Sequence, residues 1–150
     1  MKKIHRNKRG FTIIELTVVM IVIAAILSAI LFSGQSTANA GRVTSALASV
    51  KALQTAAIAY FNNNGGSYSG LSLSNLASSS YLPANFTTGT NSNPWNGNIT
   101  VAPDTNAAYF DITFTNVPSA AATSLTNAVS KLSQSAPTYA AATGTWTAAF

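Results

Sequence analysis

The sequence predicts an α+β protein in which a long N-terminal helix is followed by a head with a small antiparallel sheet. Residues 11–32 are almost entirely apolar, and residues 42–62 carry apolar side chains at helical spacing. Residues 108–114 alternate apolar and polar side chains, which is typical of a half-buried strand. The predicted order is a long helix, a loop, strands, a helix and a final strand, with the sheet packed on the C-terminal half of the long helix.

The net positive charge lies in the first ten residues. The chain has 8 Lys and Arg against 3 Asp and Glu, which gives a net charge of +5. Five of the basic residues precede the apolar run: Lys2, Lys3, Arg6, Lys8 and Arg9. The remaining three basic residues are balanced by the three acids. Because nucleic-acid binding needs a basic face against the phosphates, the neutral remainder argues against direct nucleic-acid binding.

The apolar run of residues 11–32 predicts a membrane-spanning helix. As a helix it would extend about 33 Å, which exceeds the thickness of the hydrocarbon core of a bilayer. The basic residues before it predict a cytoplasmic N-terminus. Glu15 interrupts the run, and a charge there costs roughly 2.5–3.5 kcal/mol at mid-depth and less near the interface. Considered alone, Glu15 can be explained as a carboxylate that lies at the membrane surface.

The composition disfavours catalysis. His5 is the single His, it lies among the basic residues, and the chain has no Cys. A transition-metal site therefore lacks ligands, and a Ser-His-Asp or Cys-His nucleophile is excluded if the basic segment is removed. Asp104 and Asp111 leave a two-carboxylate mechanism formally open. We predict a protein that is not an enzyme and that uses no metal or other cofactor.

Residues 8–16, with the sequence Lys-Arg-Gly-Phe-Thr-Ile-Ile-Glu-Leu, resemble the processing site of type IV prepilins and their pseudopilin relatives. The family pattern is a short basic leader ending in Gly, an apolar first mature residue, a Glu four positions later and a long apolar helix. The resemblance implies that a prepilin peptidase cleaves between Gly10 and Phe11 and N-methylates Phe11. It also implies that the Glu15 carboxylate pairs with the Phe11 ammonium of a neighbouring subunit, which offsets the cost of burying either charge alone.

The long helix is predicted to continue past the apolar run to residue 62. Many pilins have a helix-breaking Pro where this chain has Phe32, so Gly34 and Gly41 are the candidate points of interruption, of local melting or of close helix contact. An apolar stripe then predicts one face directed at a core. It comprises Val43, Leu47, Val50, Leu53, Ala57 and Phe61.

Turn residues and sparse hydrophobic residues organise the start of the head. Residues 72–80 favour a short helix with Leu73 and Leu76 directed inward. Asn96-Gly97 favours a tight turn, because both residues tolerate positive φ. Asp104 is interpreted as part of a turn, since calcium requires six to eight oxygen ligands and usually several carboxylates.

The later part of the head supplies the strands and one further helix. Residues 98–102 and 108–114 are candidate strands, the second with Ala108, Phe110, Ile112 and Phe114 inward. Pro118 suits the first turn of a helix, whose predicted stripe is Ala121, Leu125, Ala128 or Val129, and Leu132. Residues 138–150 predict a final strand or hairpin. Without a disulfide, closure of the sheet depends on that segment and on Tyr139, Trp146 and Phe150.

These features divide the chain into a basic leader (1–10), a membrane or filament-core half-helix (11–33), an amphipathic half-helix (34–62) and a head (63–150). The resemblance implies a major pilin, the structural subunit of a type IV pilus-like filament for adhesion, motility or DNA uptake. The alternatives are a type II secretion pseudopilin and a minor pilin that acts as a binding module. The choice between the type IVa and type IVb subclasses stays open.

The same resemblance implies the partners and the location. The partners are further copies of the chain in a helical filament, the prepilin peptidase and the pilus assembly machinery. The precursor is expected to cross the inner membrane once with a cytoplasmic N-terminus. The assembled subunit is expected in an extracellular filament.

Overall fold

The α+β class is confirmed by a computed structural model, which describes residues 13–82, 86, 90 and 92–150. The helices are α1 (Ile13–Asn63), α2 (Leu73–Ser78) and α3 (Ser119–Val129), and the strands are β1 (Ile99–Pro103), β2 (Phe110–Phe114), β3 (Thr138–Ala140) and β4 (Thr145–Ala149). The chain divides into two compact units, Met1–Ala38 and Asn39–Phe150. We call the second of these the head unit.

The four strands form one antiparallel sheet in the order β1-β2-β4-β3. The register places a threonine of each strand in one row across the sheet, namely Thr100, Thr113, Thr147 and Thr138. The hydroxyls of Thr113 and Thr147 lie 3.1 Å apart, within hydrogen-bond distance. Because alternate residues of a strand point to opposite faces, this polar row fixes the opposite face as the one that supplies the core.

The core joins the sheet to the helices of the head unit. Phe110, Ile112 and Phe114 of β2 are buried, and their neighbours in the chain are half-buried, as the alternation predicts. One hydrophobic cluster contains these residues together with residues of α1, α2, α3, β1 and β4. Its largest fully buried members include Trp146, Leu53, Leu76, Ile99 and Leu125.

The predicted stripe of α1 supplies the helical side of this core. Val50, Leu53 and Ala57 are buried, and the other three stripe residues pack against the cluster partly buried: Val43, Leu47 and Phe61. The helix runs without a break through Gly34 and Gly41. It ends at Asn63, where Gly65 and Gly66 adopt positive φ, a conformation that glycine enters without steric cost.

Two details of the predicted strand and helix are wrong. Ala108 is exposed in the turn before β2, because its N–H bonds to the Asn106 side chain and the strand begins only at Phe110. Leu132 is 43% exposed, because α3 ends at Val129 and the chain turns back at that point. The predicted helix over residues 72–80 is confirmed as α2, with Leu73 and Leu76 buried. The final segment is the hairpin of β3 and β4.

Candidate assembly surface and head scaffold

The first half of α1 presents a large apolar surface. All the side chains from residue 14 to residue 28 are exposed, and we call these residues the apolar spine. The large hydrophobic residues among them are between 46% and 76% exposed: Ile14, Leu16, Val18, Val19, Met20, Ile21, Val22, Ile23, Ile26 and Leu27. Patches of this size on soluble monomers mark contacts with other proteins or with membranes.

The apolar spine is hydrophobic on every side of the helix. Residues 18–23 are six consecutive apolar positions, and at about 100° per residue they cover the whole circumference. A helix that is apolar all round is normally surrounded by other apolar groups, whereas a surface helix has one apolar stripe. The spine therefore needs partners on several sides at once.

Within the described residues, none of the helices combines the length and the apolar character that crossing a membrane requires.

Glu15 is the one acidic residue of the apolar spine, and it lies in the first turn of α1. Its side chain is exposed. A carboxylate near a helix N-terminus is favoured by the positive end of the helix dipole. Gly10 and Phe11, the predicted cleavage site, lie outside the described residues.

A buried amide organises the start of the sheet in the head unit. Asn93 is only 4% exposed, and its Oδ1 accepts hydrogen bonds from the backbone N–H groups of Trp95 and Gly97, each at 2.9 Å. Its Nδ2 donates to the carbonyl of Thr115 at 2.6 Å. The side chain thus joins the loop before β1 to the end of β2, and a buried amide with its hydrogen bonds made stabilises such a junction.

The predicted Asn96-Gly97 turn forms, but the two residues have different roles. Asn96 has a φ of 57°, in the left-handed region. Gly97 does not need positive φ; a Cβ atom on it would lie 2.0 Å from the carbonyl oxygen of Thr115. Glycine is required there because the backbone of the loop touches the backbone that follows β2.

Trp95 fills the space behind this turn. Its side chain is 6% exposed, and its carbonyl accepts a hydrogen bond from Asn116 Nδ2 at 2.7 Å. Its Nε1 is buried and has no hydrogen-bond partner among the described residues. The turn is predictable from the sequence, whereas the role of Asn93 was not predicted. The Asn-Pro pair at residues 93–94 was the available signal, since an Asn side chain often bonds to the backbone two residues on.

Aromatic side chains link the end of α1 to the sheet. Ring centroids lie 4.7 Å apart between Phe61 and Tyr68, 4.8 Å between Tyr68 and Phe110, and 5.6 Å between Phe110 and Phe150. Burial raises the pKa of the Tyr68 hydroxyl above its ordinary value. Of the three residues predicted to close the sheet, Phe150 stacks on Phe110 and Trp146 is fully buried, with its Nε1 donating to Thr126 Oγ1 at 3.0 Å. The third, Tyr139, donates its hydroxyl to the carbonyl of Val117 at 2.8 Å.

The carboxylates of the head do not form a metal site among the described residues. No group of three or more His, Cys, Asp and Glu side chains capable of holding a metal ion occurs in that part of the chain. Asp104 lies in a turn, as predicted, and its Oδ1 accepts from the backbone N–H and the hydroxyl of Thr105. Partial burial, and secondarily the negative charge of Asp104, raise the pKa of the Asp111 carboxyl.

Comparison with known proteins places two family models on this chain. The model described as "PilS N terminal" matches residues 33–146, and the "Prokaryotic N-terminal methylation motif" matches residues 5–31. The first match covers most of α1 beyond the apolar spine together with nearly the whole head. The second contains Gly10, Phe11 and Glu15. No curated protein and no solved structure gives a significant match.

Proposed function

Because the chain belongs to the PilS N-terminal family and is a type IV pilin-like protein that carries the prokaryotic methylation motif, we propose that it is a major pilin. In this proposal it forms the structural subunit of a type IV pilus-like filament. Family domains of this kind are structural rather than catalytic. The role follows from its surfaces, and it requires no reaction centre in the head.

One observation carries the proposal, namely that the apolar spine is exposed on all sides. Transfer of apolar surface out of water contributes roughly 25 cal/mol per Å², so a spine of this kind is strongly driven to become covered. A filament in which the spines of many copies pack together covers every side of each helix. A binding module with a single docking face leaves most of the spine uncovered.

Processing and location complete the proposal. A prepilin peptidase removes residues 1–10 between Gly10 and Phe11, and Phe11 receives the methyl group. Before assembly, residues 11–33 lie in the inner membrane in a single pass, with the basic leader on the cytoplasmic side. After cleavage the pilus machinery transfers the subunit to the extracellular filament.

Glu15 sets the register of assembly in this scheme. The Phe11 amine of one subunit and the Glu15 carboxylate of its neighbour enter an apolar environment together. Leaving either charge unpaired there costs several kcal/mol, whereas the pair offsets much of that cost. The pair selects one axial position for the incoming subunit.

The experiment compares Glu15→Ala and Glu15→Gln with Thr17→Ala, a change of another polar side chain two residues further along the same helix. Sheared surface filaments are measured against the mature subunit retained in the membrane. Both Glu15 variants should insert and be cleaved normally, yet yield few filaments, because neither Ala nor Gln neutralises an ammonium. The Thr17 variant should assemble normally. Wild-type filament yield from both Glu15 variants would refute the assembly role.

Cleavage is tested separately with Gly10→Val. The peptidase should reject a side chain at this position, so that the full-length precursor accumulates in the membrane. Mass spectrometry of the subunit gives the N-terminus directly. A mature chain beginning at methylated Phe11 from this variant would contradict the assignment of the cleavage site.

A further inference from the structure

The charged side chains of the head unit are few and are unevenly placed. Five occur between Asn39 and Phe150, namely Arg42, Lys51, Lys131, Asp104 and Asp111. The three cations are exposed, and the two carboxylates are partly exposed. Because these five are all the Asp, Glu, Lys and Arg residues between positions 39 and 150, electrostatic attraction between copies of the unit depends on them.

The two carboxylates lie at the end of the head unit where α1 finishes. The backbone N–H of Tyr68, five residues after α1 ends, donates to the carbonyl of Ala107 in the turn between β1 and β2. Asp104 opens that turn, and Asp111 is the second residue of β2, just after it. The ring contact of Tyr68 with Phe110, at 4.8 Å, fixes the same end of the sheet against the end of α1.

Arg42 lies at the opposite end of the same unit. It precedes Phe61, the α1 residue whose ring contacts Tyr68, by 61 − 42 = 19 residues of continuous helix. At about 1.5 Å per residue, Arg42 is roughly 28 Å from the carboxylate end, measured along the helix axis. A single head cannot bring this cation to its own carboxylates across that length.

Among the described residues of the unit, no cation compensates the two carboxylates. No salt bridge joins Asp104 or Asp111 to any of the three cations in the part of the chain that the structure describes. Partial burial, and secondarily the like charge of Asp104, raise the pKa of the Asp111 carboxyl. Within the described part of the chain, the two carboxylates thus lie at one end of the unit and Arg42 lies at the other, with no ion pair between them.

We propose that the carboxylates Asp104 and Asp111 of one copy pair with Arg42 of the next copy, in a head-to-tail contact between successive head units. The proposal rests on the proposed filament function and identifies the surfaces through which the heads meet. A contact between two different surfaces repeats without closing, as a filament requires. Its complementary charges set orientation and register more than they add affinity.

Crosslinking tests the contact directly, because the chain has no Cys of its own. Filaments carrying both Arg42→Cys and Asp111→Cys are treated with a short bismaleimide and separated under denaturing conditions. A head-to-tail contact gives a ladder of dimers, trimers and longer chains, since each copy reacts through both ends. Each single variant should give no ladder, because one thiol per copy allows dimers at most.

The matched control is Lys51→Cys with Asp111→Cys, since Lys51 is an exposed cation on the same helix, nine residues after Arg42. The proposal is overturned if the Lys51 pair gives a ladder and the Arg42 pair does not. It is also overturned if neither pair gives a ladder. If the wild-type chain forms no filaments, the proposed function itself fails. Filaments that form without the Arg42 ladder refute only the contact.

Charge reversal provides an independent measurement in cells. Arg42→Glu should lower the yield of sheared filaments by about tenfold or more, because it brings like charges together. Lys51→Glu should have little effect, and Arg42→Glu combined with Asp104→Lys and Asp111→Lys should restore assembly. An equal loss from Arg42→Glu and Lys51→Glu, with no rescue by the reversed set, would contradict the pairing.

Discussion

The two parts of helix α1 contain similar apolar residues and use them in opposite ways. Between residues 14 and 28 the apolar side chains point in every direction, and all are exposed. Between residues 46 and 57 they occupy one face, where Val50 and Leu53 are fully buried. Polar side chains such as those of Thr44, Ser45 and Thr55 occupy the other face and bond to carbonyls four residues back.

The difference shows where each part finds its partners. One apolar stripe is satisfied by the sheet of the same copy, whereas an apolar surface around the whole helix requires neighbours outside the head. Mutations in the second part should therefore change the stability of the head. Mutations in the first part should change assembly and leave the head intact. Both Trp residues of the chain, Trp95 and Trp146, are buried in the head unit, so their fluorescence reports on the head alone.

The sharpest test of this contrast is the same substitution in each part of the helix. Leu53→Ala should destabilise the head by about 4 kcal/mol, because it leaves a cavity at a fully buried site. Leu27→Ala removes the same atoms from a side chain that is 54% exposed, and head stability should be unchanged. Denaturant unfolding of the detergent-solubilised subunit, followed by Trp fluorescence, measures both. Equal losses would show that the head depends on the spine for its stability.

The second test uses two glycines: Gly97, which lies against another backbone segment, and Gly41, which has open space beside it. Gly97→Ala should destabilise the head by about 3 kcal/mol, because the new Cβ would overlap the Thr115 carbonyl and force the backbone apart. Gly41→Ala meets nothing within 4 Å and lies inside α1, so it should stabilise the helix by up to about 1 kcal/mol. Thermal unfolding of the wild type and the two variants measures both the expected loss and the expected gain in stability. A neutral Gly97→Ala variant would mean that the loop before β1 is not held against the end of β2.

The smallest expected effect concerns the pKa of Asp111. Because this pKa is raised in the folded state, the carboxyl contributes stability below its unfolded pKa and loses that contribution as the pH rises through the folded value. Asp111→Asn should therefore slightly raise the melting temperature of the solubilised subunit at pH 7. The gain should disappear near pH 3, where Asp111 is also neutral. A variant that is less stable than the wild type at pH 7 would contradict the stated direction.

The spacing of apolar residues predicts secondary structure correctly where a regular segment packs against the core. The stripe of α1, the alternation in β2 and the short helix α2 follow from apolar spacing, because each of them directs one apolar face at the same core. The ends of elements were less predictable. Ala108 and Leu132 fit the same patterns, yet backbone hydrogen bonds in the adjoining turns place both outside the core.

The scaffold around Asn93 illustrates why local pattern is insufficient. The loop can be predicted as a turn from Asn96 and Gly97 alone. The need for Gly97 arises from Thr115, which lies eighteen positions later and approaches only after β2 pairs with β1. A contact between distant segments leaves no trace in the spacing of nearby residues. The spine, by contrast, is evident in the sequence because its chemistry depends on composition rather than on folded contacts.

The strand order has a consequence for how the head is completed during synthesis. β2 lies between β1, which precedes it, and β4, which is the last strand to be synthesised. Until residues 145–150 emerge, one edge of β2 stays open, and Phe110 lacks both its backbone hydrogen bonds to Phe150 and its stacking with the Phe150 ring. A partly synthesised chain therefore carries an unpaired edge that other chains can join. A chaperone that covers this edge until the final strand arrives would protect the subunit during that interval.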